Sequence, residues 1–297
     1  SAEAPMFEKY LERVLPDEGC RKVLAEYIGY VFTRGLRLEK AAFLYGSGAN
    51  GKSVFLDIIT ALLGRENICS FSLQSLTSPG SYQRAELSDK LLNYASEING
   101  SLEASIFKQL ASGDDVEARR IYGSPFSMRN YAKLMFNCNE LPKETEQTNA
   151  FFRRFLIIPF TQTIPEAERD VNLSKKIIGS ELSGVFNWVL DGLKRLLAQE
   201  AFTASPLIDN QIEDFRMQSD SVSMFLEECS YKQSSDNKIL LQTLHNEYRN
   251  FCLVNGYCSV SNKTLKKRLK ALGYETWKIG PGQCVFIEKS DEHFNTF

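Results

Sequence analysis

The chain has 297 residues, which at roughly 150 residues per domain points to two domains. Hydrophobic residues make up 43% and charged residues 24%, the balance of a globular chain, which excludes wholesale disorder. Lys and Arg total 35 against 37 Asp and Glu, so the formal net charge is -2 and any nucleic-acid binding must use local patches.

No apolar run approaches the ~20 residues of a membrane span, so no membrane role is expected. The seven cysteines are odd in number, widely spaced and lack a CxxC, which argues against a disulfide framework or a zinc ribbon. With no signal peptide, an intracellular, non-secreted protein is expected. Only two histidines occur, His245 and His293, which leaves little room for a His-based metal site or a Ser/His/Asp triad. Ser1 in place of Met reads as a fragment or a trimmed chain.

In chain order, the apolar spacing of Phe7, Tyr10, Leu11 and Val14 predicts a helix, with a break at Pro16-Asp17-Glu18 and a restart through Val31. Residues 41–45 are a short apolar run that suits a buried parallel strand, and Ser53 to Leu63 reads as a helix ended by Gly64. Strands are predicted over 68–73, 91–96, 133–137 and 155–160, a polar loop over 75–81 and a short helix over 106–111. Val116 to Tyr122 and Phe126 to Arg129 flank Gly123-Ser124-Pro125, a hairpin signal. Strands alternating with helices give an α/β sheet with parallel strands at its centre. Residues 170–199 are predicted helical and 201–210 a linker. Beyond it, helices over 221–229, 239–254 and 262–272 and a hairpin about Gly280-Pro281-Gly282 follow a winged-helix order.

Gly46-Ser47-Gly48-Ala49-Asn50-Gly51-Lys52-Ser53 fits G-x-x-x-x-G-K-[ST], after an apolar strand and before a helix. Glycines let backbone N–H groups turn inward around phosphate oxygens, and the helix N-terminus faces the same anion. Lys52 is expected to reach the β- and γ-phosphates, and the Ser53 hydroxyl to bind Mg²⁺. The other residues such a site needs are ambiguous singly. Glu97 ends an apolar strand, as a catalytic acid or an ordinary surface carboxylate would. The amides of Asn137 and Asn139 end another strand and suit either a γ-phosphate contact or a turn. Arg153 and Arg154 precede a strand, as a finger to a neighbour's nucleotide or as charged gatekeepers.

The order of these pieces resembles superfamily III helicases, in particular the helicase part of phage and plasmid primase–helicases and of the poxvirus primase–helicase. The likeness runs from about Phe7 to Phe160. It rests on Asn50-Gly51-Lys52-Ser53, Ser96-Glu97, Phe107-Lys108-Gln109-Leu110 before Gly113-Asp114, Ala118-Arg119-Arg120, Asn139 with Pro142, and Arg153-Arg154 leading to Ile158-Pro159-Phe160. The resemblance implies an AAA+-like P-loop ATPase core, a ring that is usually hexameric, and ATP with Mg²⁺ as cofactors. By the same likeness Lys52 and Ser53 hold nucleotide and Mg²⁺, Glu97 activates water, and Asn139 senses the γ-phosphate. Arg154 matches the finger, with Arg153 as its close alternate.

The hairpin about Gly123 matches a pore loop that grips single-stranded DNA, with Arg119, Arg120, Tyr122, Lys108 and Arg129 as contacts. Arg119 and Arg120 alternatively pair with Asp114, Asp115 or Glu117. Lys263, Lys266, Lys267 and Lys270 stand on a helix whose leucines Leu265 and Leu269 face the core, a pattern that suits duplex DNA or simply solvation. Ser96 stands where many relatives carry a second acid, so Glu97 is expected to act on the metal through water. Ser112 replaces a Gly found in many relatives.

The expected organisation is a helical collar-like segment over 1–38, the helicase/ATPase core over 39–200, a linker over 201–219 and a winged-helix-like DNA-binding domain over 220–297. The expected function is an ATP-dependent DNA helicase of phage, plasmid or mobile-element replication, in the cytoplasm of a bacterial or phage-infected cell. A primase is expected upstream or in trans, and no primer synthesis by this chain. The alternatives are a replication initiator or loader that remodels DNA without processive unwinding, and, less favoured, a small P-loop phosphotransferase.

Overall fold

The computed structural model describes residues 2–96, 102–142, 146–279 and 282–290. Two helices open the chain, α1 (Pro5–Val14) and α2 (Glu18–Val31), separated where the sequence predicts a break. The N-cap of α1 is Ala4, which has no side chain to satisfy the first N–H groups. The buried Glu181 carboxylate does so from far along the chain, accepting from Met6 N at 3.0 Å and Phe7 N at 2.9 Å. Replacing Glu181 with Ala leaves both donors unsatisfied. We expect a loss of about 2–4 kcal/mol, read as a lower denaturation midpoint with an unchanged slope.

The central sheet is formed by β1 (Ala41–Tyr45), β2 (Ile68–Cys69), β3 (Leu92–Ser96), β6 (Lys133–Cys138) and β7 (Phe155–Pro159), in the order β2-β3-β6-β1-β7. Every pairing is parallel. Such a sheet is buried on both faces, which explains the unbroken apolar runs of β1 and β7. On one face Ala42, Leu44, Met135, Leu156 and Ile158 pack into the core with α1, α2, α3 (Lys52–Leu63) and α8 (Leu182–Gln199). On the other, Phe43 meets the rings of Phe107, Phe136 and Phe155, with centroids 6.3, 5.5 and 4.7 Å away. Phe107 belongs to α5 (Ala104–Ser112), and Phe151, 5.7 Å from it, to α6 (Asn149–Phe152).

Several local expectations are corrected. The strand over 68–73 is only the two residues of β2, because Ser72 accepts from Ser75 N at 3.1 Å and caps α4 (Leu73–Thr77) in what reads as strand and loop. The hairpin arms are short, β4 (Val116–Ala118) and β5 (Phe126–Met128), leaving Arg119 to Pro125 as the connecting loop. The helical stretch 170–199 is α7 (Leu173–Ser180) and α8, broken at Glu181. The linker 201–219 contains the helix α9 (Pro206–Ser219): Pro206 begins a helix as readily as it breaks one, and Ile208 and Phe215 are buried at helical spacing.

The chain divides into two compact units, with the boundary after Glu213, inside α9. The second unit runs α10 (Ser221–Glu228), β8 (Tyr231–Leu240), α11 (Leu241–Asn255), α12 (Asn262–Ala271), β9 (Thr276–Ile279) and β10 (Gly282–Lys289). Its antiparallel sheet has the order β8-β10-β9 around a core that includes Phe225, Leu244, Tyr248, Leu265, Leu269 and Val285. Strand β8 is not among the expected elements; it is an edge strand whose residues are mostly solvent-facing and polar. The predicted hairpin is present as β9 and β10, while Gly280 and Pro281 lie outside the described residues. All seven cysteines are free, and no described helix is long and apolar enough to cross a membrane.

Candidate functional site

Strand β1 is flanked by β6 and β7 and ends at Tyr45, where the glycine-rich loop begins. Ligands of open parallel sheets sit at this carboxyl edge. Gly46 N donates to the Cys138 carbonyl at 3.0 Å and Ile164 N to the Ala49 carbonyl at 2.8 Å, so the loop is pinned from both sides. Gly46 has φ +154°, and a Cβ there would lie 2.1 Å from the Phe160 carbonyl oxygen. Gly51 has φ +87°, and its Cβ would lie 2.7 Å from Val14 Cγ1. Both glycines are therefore required by the fold as well as by the loop. The Asn50 amide donates to Ser47 O and, at 2.8 Å, to Phe160 O, holding the loop's curvature.

Gly51 is the N-cap of α3 and supplies no side-chain cap, so the first N–H groups of this 12-residue helix face the loop without a side-chain partner. Lys52 is the first residue of α3. Its ammonium is buried and donates to the carbonyls of Gly46 and Ser47. Burial lowers its pKa from the usual lysine range. The charge is thus held among neutral acceptors, where an incoming anion gains most from it.

A cleft of about 520 Å³ opens over this loop. It is lined by Gly48 through Val54, Ser96, Asn137, Cys138 and Asn139, with Tyr10 and the segment from Ile164 to Leu173 closing one side. The structure thus brings together the glycine-rich loop, Ser53, Asn139 and the end of β3. Glu97, the expected acid after β3, lies outside the described residues.

Two cleft residues carry more weight than the sequence suggested. Asn137 is buried, and its Oδ1 accepts from the Tyr94 hydroxyl at 3.0 Å. Burial raises the Tyr94 pKa well above the usual tyrosine value, so the phenol remains a donor. With Oδ1 engaged, the amide NH₂ of Asn137, which lines the cleft, is left as its donor. Tyr10 donates to the Gly51 carbonyl at 2.8 Å, tying α1 to the loop. Its helical spacing marked it only as a core residue. Two residues on different strands, Tyr94 and Asn137, become a pair only through the β3–β6 register, which no local motif announces.

The two arginines lie elsewhere. Arg154 precedes β7, whose Phe155 pairs with Ala41 at the amino end of β1, so it stands at the sheet edge opposite the glycine-rich loop. Five residues of strand separate the edges, about 16 Å. Arg154 is also buried: it donates to Lys108 O at 3.1 Å, to Ser112 Oγ at 2.8 and 3.1 Å and to Ala150 O, and lies 3.6 Å from Glu39. Ser112, read above only as a departure from relatives, is a partner of this guanidinium. Arg153 is exposed and pairs with Glu39 at 2.7 Å. Of the two, Arg153 points outward.

In the hairpin, Arg119 Nε donates to Gly123 O at 3.0 Å and its guanidinium lies 6.0 Å from the Tyr82 ring centroid. Tyr122 is fully exposed, with φ +61°. Among the described residues neither Arg119 nor Arg120 pairs with an acid: Asp114 lies 3.7 Å from Arg37, and Asp115 lies 2.6 Å from Arg129. Arg129 is therefore ion-paired, and Lys108 sits half-buried on α5 rather than in the hairpin. Lys263, Lys267 and Lys270 are exposed and Lys266 half-buried on α12, whose Leu265 and Leu269 are buried, all in the second unit.

Comparison with known proteins gives two family matches. Residues 44–154 match a family described as "Family of unknown function (DUF5906)", and residues 217–295 one described as "Poxvirus D5 protein-like". The helicase-named protein 121R of Invertebrate iridescent virus 3 is 24% identical over 290 residues, covering 84% of this chain and 30% of that protein. The helicase-named protein L207/L206 of Acanthamoeba polyphaga mimivirus is 26% identical over 176 residues, covering 56% of this chain and 18% of that protein. The chain thus spans less than a third of the length of either relative. An apo structure of the NrS-1 C-terminal region shares the fold with a TM-score of 0.57 and 12% identity, covering 97% of this chain and 76% of that one.

Proposed function

We propose, on the premise that the chain is a superfamily III-like primase–helicase domain, that it is an ATP-dependent DNA helicase acting in phage, plasmid or mobile-element replication. It works as a ring, hexameric by family likeness, that hydrolyses ATP between subunits. The observation that carries this reading is the glycine-rich loop at the carboxyl edge of a parallel sheet, with buried Lys52 and the amides of Asn137 and Asn139 on one cleft.

The core over 39–200 reads as an AAA+-like P-loop ATPase, preceded by the collar-like helices over 1–38. In the second unit, the α10-β8-α11-α12-β9-β10 order supports a winged-helix reading over 220–297. The cleft's donors fit a nucleoside triphosphate: loop N–H groups and Lys52 would hold the phosphates, and Ser53 Oγ would be a ligand for Mg²⁺. Bound Mg²⁺ would neutralise charge developing on the phosphates. Glu97 is the proposed acid that activates water, and Asn139, joined by Asn137, contacts the γ-phosphate. Arg153 is the outward candidate for the finger, with Arg154 holding α5 and α6 in place behind it. Arg119, Arg120 and Tyr122 are the proposed single-strand contacts, with Lys108 and Arg129 secondary. Lys263, Lys266, Lys267 and Lys270 are the proposed duplex contacts. A primase joins in the same chain or in trans, in the cytoplasm of the host cell.

The test is ATP hydrolysis with and without single-stranded DNA, paired with a strand-displacement assay. Stimulated hydrolysis with displacement supports the helicase; stimulated hydrolysis without displacement supports an initiator or loader; DNA-independent phosphorylation of a small molecule by a monomer rejects both.

Tyr94→Phe removes only the hydroxyl that fixes Asn137. We expect kcat to fall about tenfold, one hydrogen bond's worth, with the nucleotide KM unchanged. Asn137→Ala is expected to cost about 10²-fold. Equal kcat for Tyr94→Phe and wild type would show that Asn137 needs no such partner.

A further inference from the structure

The amino edge of the sheet, opposite the nucleotide cleft, carries a second constellation. Lys40 immediately precedes β1, Lys133 opens β6, and Lys90 lies just before β3. These three strands are adjacent in the order β3-β6-β1, so the lysines form a row along the edge at the spacing of neighbouring strands, about 4.8 Å. Arg34 and Arg37, from the segment joining α2 to β1, complete the walls of a small pocket of about 50 Å³. Five cations and no carboxylate line it.

The nearest acid, Asp114, is 3.7 Å from Arg37; among the described residues Arg34, Lys40, Lys90 and Lys133 have no carboxylate within 4 Å. Lys40 Nζ donates to the Phe155 carbonyl at 3.4 Å; burial lowers its pKa, partly offset by Asp209, which lines a neighbouring groove with it. Lys90 Nζ donates to the Glu66 backbone carbonyl, and Lys133 Nζ lies 4.0 Å from the Tyr30 ring centroid. The cations do not serve as caps for the helices ending nearby. The carbonyls of Gly29 and Tyr30 near the end of α2 accept from Phe32 N, Thr33 N and Thr33 Oγ1, and those of Gln109 and Leu110 near the end of α5 from Gly113 N, Asp114 N and the Tyr131 hydroxyl.

We propose that this pocket is a second anion site, which grips a phosphodiester of the nucleic-acid strand. The inference rests on the DNA-binding reading above but uses none of its residues. A pocket this small admits phosphate oxygens and excludes a base. Asn130 and Tyr131, on its wall, follow directly from β5, whose hairpin carries Arg119, Arg120 and Tyr122 at its tip. The arms are three residues long, about 10 Å, and only Arg129 separates β5 from the pocket wall, so the pocket lies at the base of the hairpin whose loop carries the proposed single-strand contacts. A backbone track of this kind adds affinity without sequence preference and is salt-dependent.

The test uses the full chain carrying Arg34→Ala and Lys90→Ala together, against a thymidine-only single strand, with affinity measured over a range of salt. The slope of log K against log salt is expected to become shallower by about 0.7, the share of the one phosphate that the variant leaves unneutralised, with DNA-free ATP hydrolysis unchanged. An unchanged slope in a variant that melts normally overturns the strand assignment. A second arm follows melting with inorganic pyrophosphate, whose effect at the glycine-rich loop is common to both proteins. An extra wild-type shift that the variant lacks, alongside a changed slope, supports the strand site; the same extra shift with an unchanged slope assigns the pocket to free phosphate instead. If wild type binds no DNA at all, the DNA reading fails on its own account, and equal pyrophosphate shifts in the two proteins would then remove the anion site as well.

Discussion

Lys52→Ala should bind ATP weakly and hydrolyse it at no more than about a thousandth of the wild-type rate, while melting close to wild type. The ammonium is the one buried positive charge in the cleft lining, and it is held by the carbonyls of Gly46 and Ser47. Removing it deletes a charge-assisted interaction at the point where phosphate charge develops, the largest single electrostatic contribution in this kind of site. The fold loses little, because a desolvated cation held by neutral oxygens contributes weakly to stability. The lowered pKa adds a signature in pH. Bound phosphate raises the pKa again, so ATP binding requires the ammonium and takes up a proton where the free site has lost it. Wild-type affinity should therefore decline with rising pH at a lower pH than an ordinary lysine would give. Affinity in Lys52→Ala should lack this decline. Full hydrolysis by Lys52→Ala would remove the basis of the ATPase reading.

The second large effect separates two adjacent arginines. Arg153→Ala should fold normally, since its pair with Glu39 is exposed and worth under about 1 kcal/mol, yet lose hydrolysis by about 10³-fold in the assembled ring. Arg154→Ala should instead melt markedly lower. It removes a buried guanidinium that donates to the Lys108 and Ala150 carbonyls and to the Ser112 hydroxyl, a cost of about 3 kcal/mol. Mixing supplies the decisive measurement. If the pocket is shared between subunits as proposed, it takes Lys52 from one and Arg153 from the next. Lys52→Ala and Arg153→Ala proteins, each inactive alone, should recover part of the activity when combined, because some interfaces then carry both native residues. No recovery in rings shown to contain both proteins would rule out a finger at Arg153.

The sequence by itself determined the parts whose information is local. The glycine-rich loop needs particular φ values and N–H groups at fixed spacing, so Gly46 to Ser53 identifies itself between strand β1 and helix α3. The apolar runs of β1, β6 and β7 likewise declared a parallel sheet, because burial on both faces leaves no alternation to misread. The tertiary structure decided what depends on pairing across the chain. Strand β8 went unseen because its hydrogen bonds to β10 specify it, not its polar side chains. Asn137 acquired a fixed orientation only when parallel register set it beside Tyr94. The resemblance put Arg154 first as the finger and Arg153 as its alternate, and the packing of α5 and α6 against β7 turned Arg154 inward and Arg153 out. The lysine row at the amino edge belongs to the same class: Lys40, Lys90 and Lys133 are scattered in sequence, and strand order alone makes them neighbours.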